Sequence, residues 1–310
     1  MAITYGIISE LHDIDVRTII PAINILKKEE VDALVLNGDL VGERADNASH
    51  NYLSILLDIV GRSGLEAYVL PGSHEVVSEF EPVLSYFSSH YPNLINTFTT
   101  PKVEKKDHHL VFLQGASDYR VGDALDYGYS LEDQNKSGVY KNNGGFIRVI
   151  NMHDLKKLVS EPEKTVVFSH VPRRFSTIET CVDMAEFGEV QTEFQLDDHP
   201  FQVGSVLPAS FAYALVQQGL PIQMRRENRG NETLKAIFND LGIKKSVSGH
   251  FHESAGRAHD LQGNSVEEGS FVNELFYNAS CMDRLMVGML SVEDSKVAYE
   301  NINLQKYFKH

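Results

Sequence analysis

The chain has 310 residues, 42% of them hydrophobic and 23% charged, with a formal net charge of −15. That composition belongs to a folded globular protein with a large core and excludes a disordered or fibrous chain. The acidic balance opposes broad binding to nucleic-acid backbone, whose counterions are displaced by lysine and arginine.

In chain order, the apolar run Ile3 to Ile8 predicts a strand. A helix follows near Val16 to Lys28, then a strand at Ala33 to Leu36, a helix at Tyr52 to Arg62 and a strand at Ala67 to Leu70. This βαβαβ beginning implies parallel pairing with right-handed crossovers and helices covering the sheet. Further strands are expected at His109 to Leu113, Thr165 to Phe168 and Lys245 to Val247. "LMVGMLSV" and "KVAYENIN" near the C-terminus read as a closing antiparallel pair. From about 175 to 231 the chain lacks regular strand rhythm, is rich in acidic and glutamine residues and contains the helix-like "ASFAYALVQQG". It reads as an insertion that could lie over a site, within one domain spanning 1–310. No apolar run approaches the roughly eighteen residues of a membrane span, and "MAITYGII" lacks the basic region and cleavage site of a leader, so a cytoplasmic protein with no membrane partner is expected. Cys181 and Cys281, far apart and in no zinc or pairing pattern, read as buried apolar thiols.

Polar groups gather after the strands. "SELHD" carries Glu10 and His12, "LNGDLVGE" Asp39, "LPGSHEV" Ser73, His74 and Glu75, "VVFSHVPRR" His170, and "SVSGHFHES" His250 and His252. Open α/β sheets place their sites at the carboxyl ends of strands. Carboxylates and imidazoles are the donors that Mn²⁺, Fe²⁺ and Zn²⁺ prefer, and one carboxylate can bridge two ions. Glycine before Asp39, Ser73 and His250 lets the chain turn sharply out of the sheet.

The series resembles the calcineurin-like metallophosphoesterase superfamily, whose pattern runs Asp-x-His, Gly-Asp, Gly-Asn-His-Asp/Glu, a histidine after a strand, and Gly-His-x-His. "FYNASCMDR" stands where that family has an asparagine- and serine-containing turn. The resemblance implies an α/β fold, a four-layer sandwich of two mixed β-sheets flanked by helices. It also implies two divalent metal ions. Glu10, His12 and His252 would hold one, and Ser73, His170 and His250 the other, with Asp39 bridging both. His74 would stand beside the substrate, and Glu75 could orient its imidazole. Two ions so held suit hydrolysis of a small phosphate mono- or diester, such as a nucleotide. A nuclease, and a non-catalytic scaffold with a degenerate site, are the alternatives.

Two positions depart from the pattern. Glu10 is one methylene longer than the expected aspartate and must fold back to bind. Ser73 replaces an asparagine, and a hydroxyl on a short stem is a poorer, shorter-reaching ligand than an amide carbonyl. Asp13 reads as a cap for the helix that follows or as an extra metal oxygen. Arg173 and Arg174, three and four residues after His170, read either as phosphate contacts or as ion pairs with the acidic insertion. The cluster Arg225, Arg226 and Arg229 reads as solvated surface. His50, His90, His108, His109, His153, His199 and His259 match no motif position and read as surface histidines.

Overall fold

The central strands are apolar from end to end because both of their faces are covered. β1 (Ile3–Ile8) sends Tyr5 and Ile7 to one side and Ile8 to the other. β2 (Ala33–Asn37) divides Ala33 and Val35 from Leu34 and Leu36, and β3 (Glu66–Leu70) divides Tyr68 and Leu70 from Ala67 and Val69. The structure, a computed structural model, describes residues 2–12, 14–42, 47–116, 139–142, 145–149, 152–196, 199–279 and 281–307. Asp13 therefore lies outside the described residues, and the turn that follows it is capped by Asp15, which accepts from Arg17 N.

In the first sheet β1, β2, β3 and β4 (Leu94–Asn96) are parallel. β19 (Met286–Glu293) pairs antiparallel with β1 and β20 (Lys296–Asn303) antiparallel with β19, so the C-terminal hairpin expected from the sequence closes one edge. The second sheet has a parallel centre of β6 (His109–Leu113), β10 (Thr165–Ser169), β16 (Lys245–Ser248) and β18 (Leu275–Asn278). It is flanked by β5 (Lys102–Glu104) and β17 (Ala258–His259), both antiparallel to their neighbours. Tyr5, Ile7, Val35 and Tyr68 of one sheet pack against Leu110, Phe112, Phe168 and Tyr277 of the other.

Helices α1 (Ile19–Lys28), α2 (Asn47–Ser63) and α3 (Val77–His90) cover the outer face of the first sheet. In α1 the buried Ile19, Ala22, Ile23 and Leu26 fall at i, i+3, i+4 and i+7, the spacing of one helix face. Helices Leu155–Leu158 and Glu232–Leu241 cover the second sheet through Leu155, Leu234, Ile237 and Phe238. The result is the four-layer α/β sandwich of two mixed β-sheets flanked by helices. β7 (Gly115–Ala116), β8 (Val139–Asn142) and β9 (Gly145–Val149) form a small separate sheet.

The stretch from 175 to 231 holds more strand than its sequence suggested. β11 (Met184–Val190), β14 (Val206–Pro208) and β15 (Ile222–Asn228) make a three-stranded antiparallel sheet, and β12 (Phe194–Leu196) pairs with β13 (His199–Phe201) as a hairpin. Helix Ala209–Gln217 packs on that sheet through Ala212 and Leu215, against Val190 and Leu207. β15, "IQMRREN", has a residue content poor in strand propensity. It is held by cross-strand partners such as Glu189 for Arg225, 2.9 Å away, and local composition cannot register those. The chain leaves at Arg174 and returns at Asn231, where Arg174 N–H donates to Asn231 O at 3.1 Å.

His108, His109 and His259 are not surface residues. His108 bridges the Tyr5 hydroxyl (2.7 Å) and Asp107 (2.8 Å), and His109 is 8% exposed. His259 is fully buried between the rings of Phe175 and Phe276. Its Nε2 accepts from Val182 N (3.1 Å), which leaves the ring hydrogen on Nδ1, facing Asp260 O at 2.7 Å. Burial first, and then the nearby Arg173 and Arg257 cations, hold its pKa down at about 4, although Asp260 pulls the other way. Above pH 6.5 the imidazole is neutral in both folded and unfolded chains. Below that the unfolded chain takes up the proton and the folded chain does not, so stability falls until about pH 4, by on the order of 3 kcal/mol from this group. His259→Gln keeps an acceptor for Val182 N–H and cannot titrate. Thermal unfolding measured from pH 7 to pH 4 should show a shallower loss for the variant than for the wild type, and parallel profiles would refute the assignment.

Candidate metal centre

The strand ends of both sheets meet along one edge, and their turns are forced into unusual backbone. Glu10 (φ 55°), His12 (φ 43°), Asp39 (φ 50°) and His250 (φ 69°) are all left-handed without being glycine. Each such residue costs about 1–2 kcal/mol, and strain of this kind persists where the surroundings over-determine it. Two close approaches supply that determination. A Cβ on Gly72 would stand 2.3 Å from Asp39 N, and one on Gly38 (φ 85°) would stand 2.6 Å from both Gly72 Cα and His170 Nδ1.

Glu75 does not orient His74, as the sequence suggested. Its carboxylate is 1% exposed and accepts from four backbone N–H groups: Gly72 (2.5 Å), Asp39 (3.1 Å), Leu40 (2.6 Å) and Val41 (3.0 Å). It thereby clamps the loop after β2 to the loop after β3. Burial and the neighbouring Asp39 raise its pKa to about 7, against those N–H donors.

The predicted ligand side chains converge. Glu10 Oε2 is 3.1 Å from His12 Nε2 and 2.9 Å from His252 Nε2, and the two imidazole nitrogens are 3.2 Å apart. Asp39 Oδ2 is 3.1 Å from His170 Nε2, 3.8 Å from His74 Nε2 and 4.0 Å from His12 Nε2. Three groups arise whose potential ligand atoms lie within 4.8 Å of one another: Glu10, His12 and His252; His12, Asp39 and His74; Asp39, His170 and His250. His170 gives the clearest sign of fit. It is fully buried with Nδ1 donating to Asn37 O at 3.0 Å, while Nε2, 3.1 Å from Asp39 Oδ2, has no aligned hydrogen-bond partner and faces the pocket.

Ser73 sits beside this pocket with its hydroxyl turned on Asp39, donating at 3.0 Å to Oδ1 and 2.8 Å to Oδ2. The backbone N–H groups of Ser73 and His74 also donate to Asp39 Oδ1, the latter at 2.9 Å, which leaves Oδ2 to face the imidazoles. Burial alone would push the Asp39 carboxyl up, but His170, His74 and His12 hold it well below the usual range. Glu10 is likewise held low, by His170 and its bonds to His12 and His252, against burial and Asp39. In return these carboxylates raise His12 and His170 to about 9, despite burial. The pocket is thus a buried anionic site that draws positive charge, which a divalent cation would supply in place of protons.

Arg173 and Arg174 are not drawn into this cluster. Arg173 is 5% exposed, with its guanidinium 4.6 Å from the Phe175 ring and 5.5 Å from the Phe276 ring, and it donates to Asn239 Oδ1 at 3.0 Å. It packs against these rings beside helix Glu232–Leu241. Arg174 faces Glu232 of that helix at 3.4 Å, an ion pair outside the acidic insertion. Sequence reasoning also missed Asp283, whose Oδ2 lies 3.7 Å from His252 Nδ1 and 3.9 Å from His12 Nε2. Its one signal was membership of "FYNASCMDR", a turn noted for its asparagine and serine.

Two packed mixed sheets with carboxylates and imidazoles gathered at one edge define a phosphoesterase fold with a candidate dinuclear centre. The chain belongs to the calcineurin-like phosphoesterase family, whose model matches residues 3–254. Members of that family are in general metal-dependent phosphoester hydrolases that bind two divalent ions and act on small phosphate esters. A crystal structure of TT1561 of Thermus thermophilus is similar in fold, with TM-score 0.56 and 10% identity over 97% of this chain and 99% of that one. A second crystal structure gives TM-score 0.57 and 12% identity over the same shares of the two chains. No curated protein matches the chain in sequence. Among the described residues no helix is long and apolar enough to cross a membrane.

The contact between the loops after β2 and β3 can be tested by one methyl group. Gly72→Ala places a Cβ against Asp39 N and Oδ1, so the loops must part. Stability should fall by about 1–3 kcal/mol, the usual cost of overpacking, and divalent-ion binding should weaken with it. Unchanged melting temperature and unchanged Mn²⁺ binding by calorimetry would show that the loops are not in this contact.

Proposed function

We propose that the protein is a two-cation phosphoesterase that hydrolyses a small phosphate mono- or diester, built on one domain in which 175–231 is an insertion. The observation that carries this reading is the shared position of Asp39, whose Oδ2 faces His170 on one side and His12 on the other, at 3.1 and 4.0 Å. Glu10, His12 and His252 would hold one ion. His170 and His250 would hold the second, with Ser73 as the weak ligand and Asp39 common to both. The donor set suits Mn²⁺, Fe²⁺ or Zn²⁺. Two such ions supply an acidified water and charge neutralisation at the phosphoryl oxygens.

The remaining work belongs to the side chains. Asp39 would offset the repulsion of two cations held beside it. His74, 18% exposed with Nε2 3.8 Å from Asp39 Oδ2, stands at the mouth and can donate a proton or hydrogen bond to the leaving oxygen. The arginine cluster of β15 and the residue after it supports a compact substrate over a nucleic-acid strand. Arg225, Arg226 and Arg229 face Glu189, Glu179 and Glu227 at 2.9, 3.6 and 3.4 Å, so their charge is already partnered within the insertion. The tie between the Ser73 hydroxyl and Asp39 is the observation that favours a scaffold with one weakened pocket.

Metal analysis of protein purified without chelator, together with hydrolysis of p-nitrophenyl phosphate and its bis ester, separates these readings. Bound divalent ions with turnover are expected, and the absence of both would leave the scaffold. Asp39→Asn should lose metal and activity together, and full retention of either would overturn the shared-carboxylate arrangement. His74→Ala should keep its metal and lose roughly 10²–10⁴ in turnover, most severely with poor leaving groups. Equal losses for p-nitrophenol and alkyl leaving groups would count against proton donation. Ser73→Asn, which restores an amide oxygen of longer reach, should tighten the looser ion about tenfold, equivalent to ~1.4 kcal/mol. Calorimetric titration of apo-protein gives the comparison, and identical isotherms would mean that Ser73 already serves as a full ligand.

A further inference from the structure

Asp283 lies in the short turn Met282–Arg284, past residue 254, where the family match ends. Two backbone hydrogen bonds dock that turn on the end of β1: Met282 N–H to Ser9 O and Asp283 N–H to Glu10 O, both 3.1 Å. Leu285, left-handed at φ 54°, closes the turn and returns the chain into β19. The position of Asp283 is therefore set by the same strand end that carries Glu10.

Its carboxylate is 31% exposed and approaches the first pocket from outside, with Oδ2 3.7 Å from His252 Nδ1 and 3.9 Å from His12 Nε2. It is not among the side chains whose ligand atoms crowd within 4.8 Å. His252 turns Nε2 to Glu10 at 2.9 Å, so its Nδ1 lies on the side toward Asp283. A carboxylate at the far nitrogen of a ligating imidazole fixes ring orientation and tautomer and makes the ligating nitrogen more basic. The Cys281 side chain, like Glu10, favours the charged form of the His252 ring and is the competing partner for that role.

Resting on the two-cation reading, we infer that Asp283 is a positioning residue of the first pocket. Its carboxylate lies 3.7 Å from His252 Nδ1 and 3.9 Å from His12 Nε2, beyond hydrogen-bond length, so it acts through charge: it favours the ring orientation that turns His252 Nε2 toward Glu10 and adds a negative charge beside both imidazoles. The opposite group, Asp39 with His170 and His250, contains one carboxylate. The two ions are then bound unequally, tightly at Glu10, His12 and His252 and loosely beside Ser73.

Two measurements on Asp283→Asn, Asp283→Glu and Cys281→Ala test this. In ¹⁵N spectra of the metal-free protein, Asp283→Asn should shift the ring nitrogens of His252, while Cys281→Ala should move them less. In calorimetric titration of apo-protein with Mn²⁺, Asp283→Asn should weaken the tighter step roughly 10- to 100-fold and spare the looser one, and Asp283→Glu should recover part of the loss. Unmoved His252 resonances, an unchanged tight step, or equal weakening of both steps with a lower melting temperature would each overturn the inference. If the wild type binds no Mn²⁺, the two-cation reading fails by itself. The metal-free spectra then decide alone whether Asp283 holds His252, a shift supporting the inference and no shift overturning it.

Discussion

The Glu10 carboxylate joins the two sheets at the edge where the site lies. It stands at the end of β1 in the first sheet, and its Oε1 accepts the His250 N–H at 2.5 Å from the turn after β16 in the second. Its Oε2 meanwhile faces His12 and His252. One side chain thus ties the two sheets together at this edge and faces two imidazoles at once. His170 Nδ1, donating to Asn37 O at 3.0 Å, makes a second tie between the sheets close by.

Around that join the structure concentrates cost. Two buried anions, four strained residues and two loops in direct backbone contact are stable together because Glu75 satisfies four N–H groups and Asp39 accepts from Ser73 and His74. The negative field of Glu10 and Asp39 draws protons onto His12 and His170, and it is the same field that would hold divalent cations. An overall charge of −15 adds nothing specific to this, since most of it lies on solvated surface.

The segment from 175 to 231 is anchored beside the candidate site, and none of its described residues is in the groups that could hold an ion. Ser254, just after His252, donates to Val182 O and Met184 O at its base, and Phe251, between the two histidines, packs with Ala185 and Phe187 of β11. Its own β-sheet and helix form a separate small apolar cluster.

The sequence by itself determined the alternation of strands and helices in its first part, the closing hairpin and the series of polar groups that follow the strands. Those features follow from period, run length and the position of polar residues after apolar strands, all of which are local. Tertiary structure alone decided the roles of residues whose partners are distant in the chain. Glu75 looked like a partner for His74 and instead binds the backbone of the loop after β2, more than thirty residues away. Arg173 read as a phosphate contact or an ion pair and is stacked on Phe276, His259 read as surface and is enclosed by Phe175 and Phe276, and Asp283 reaches to 3.9 Å from His12 across almost the whole sequence. A side chain's type fixes which interactions it can make, but which one it makes depends on which donor, ring or carboxylate the packed sheets bring within a few ångströms, and no window of sequence contains that distance.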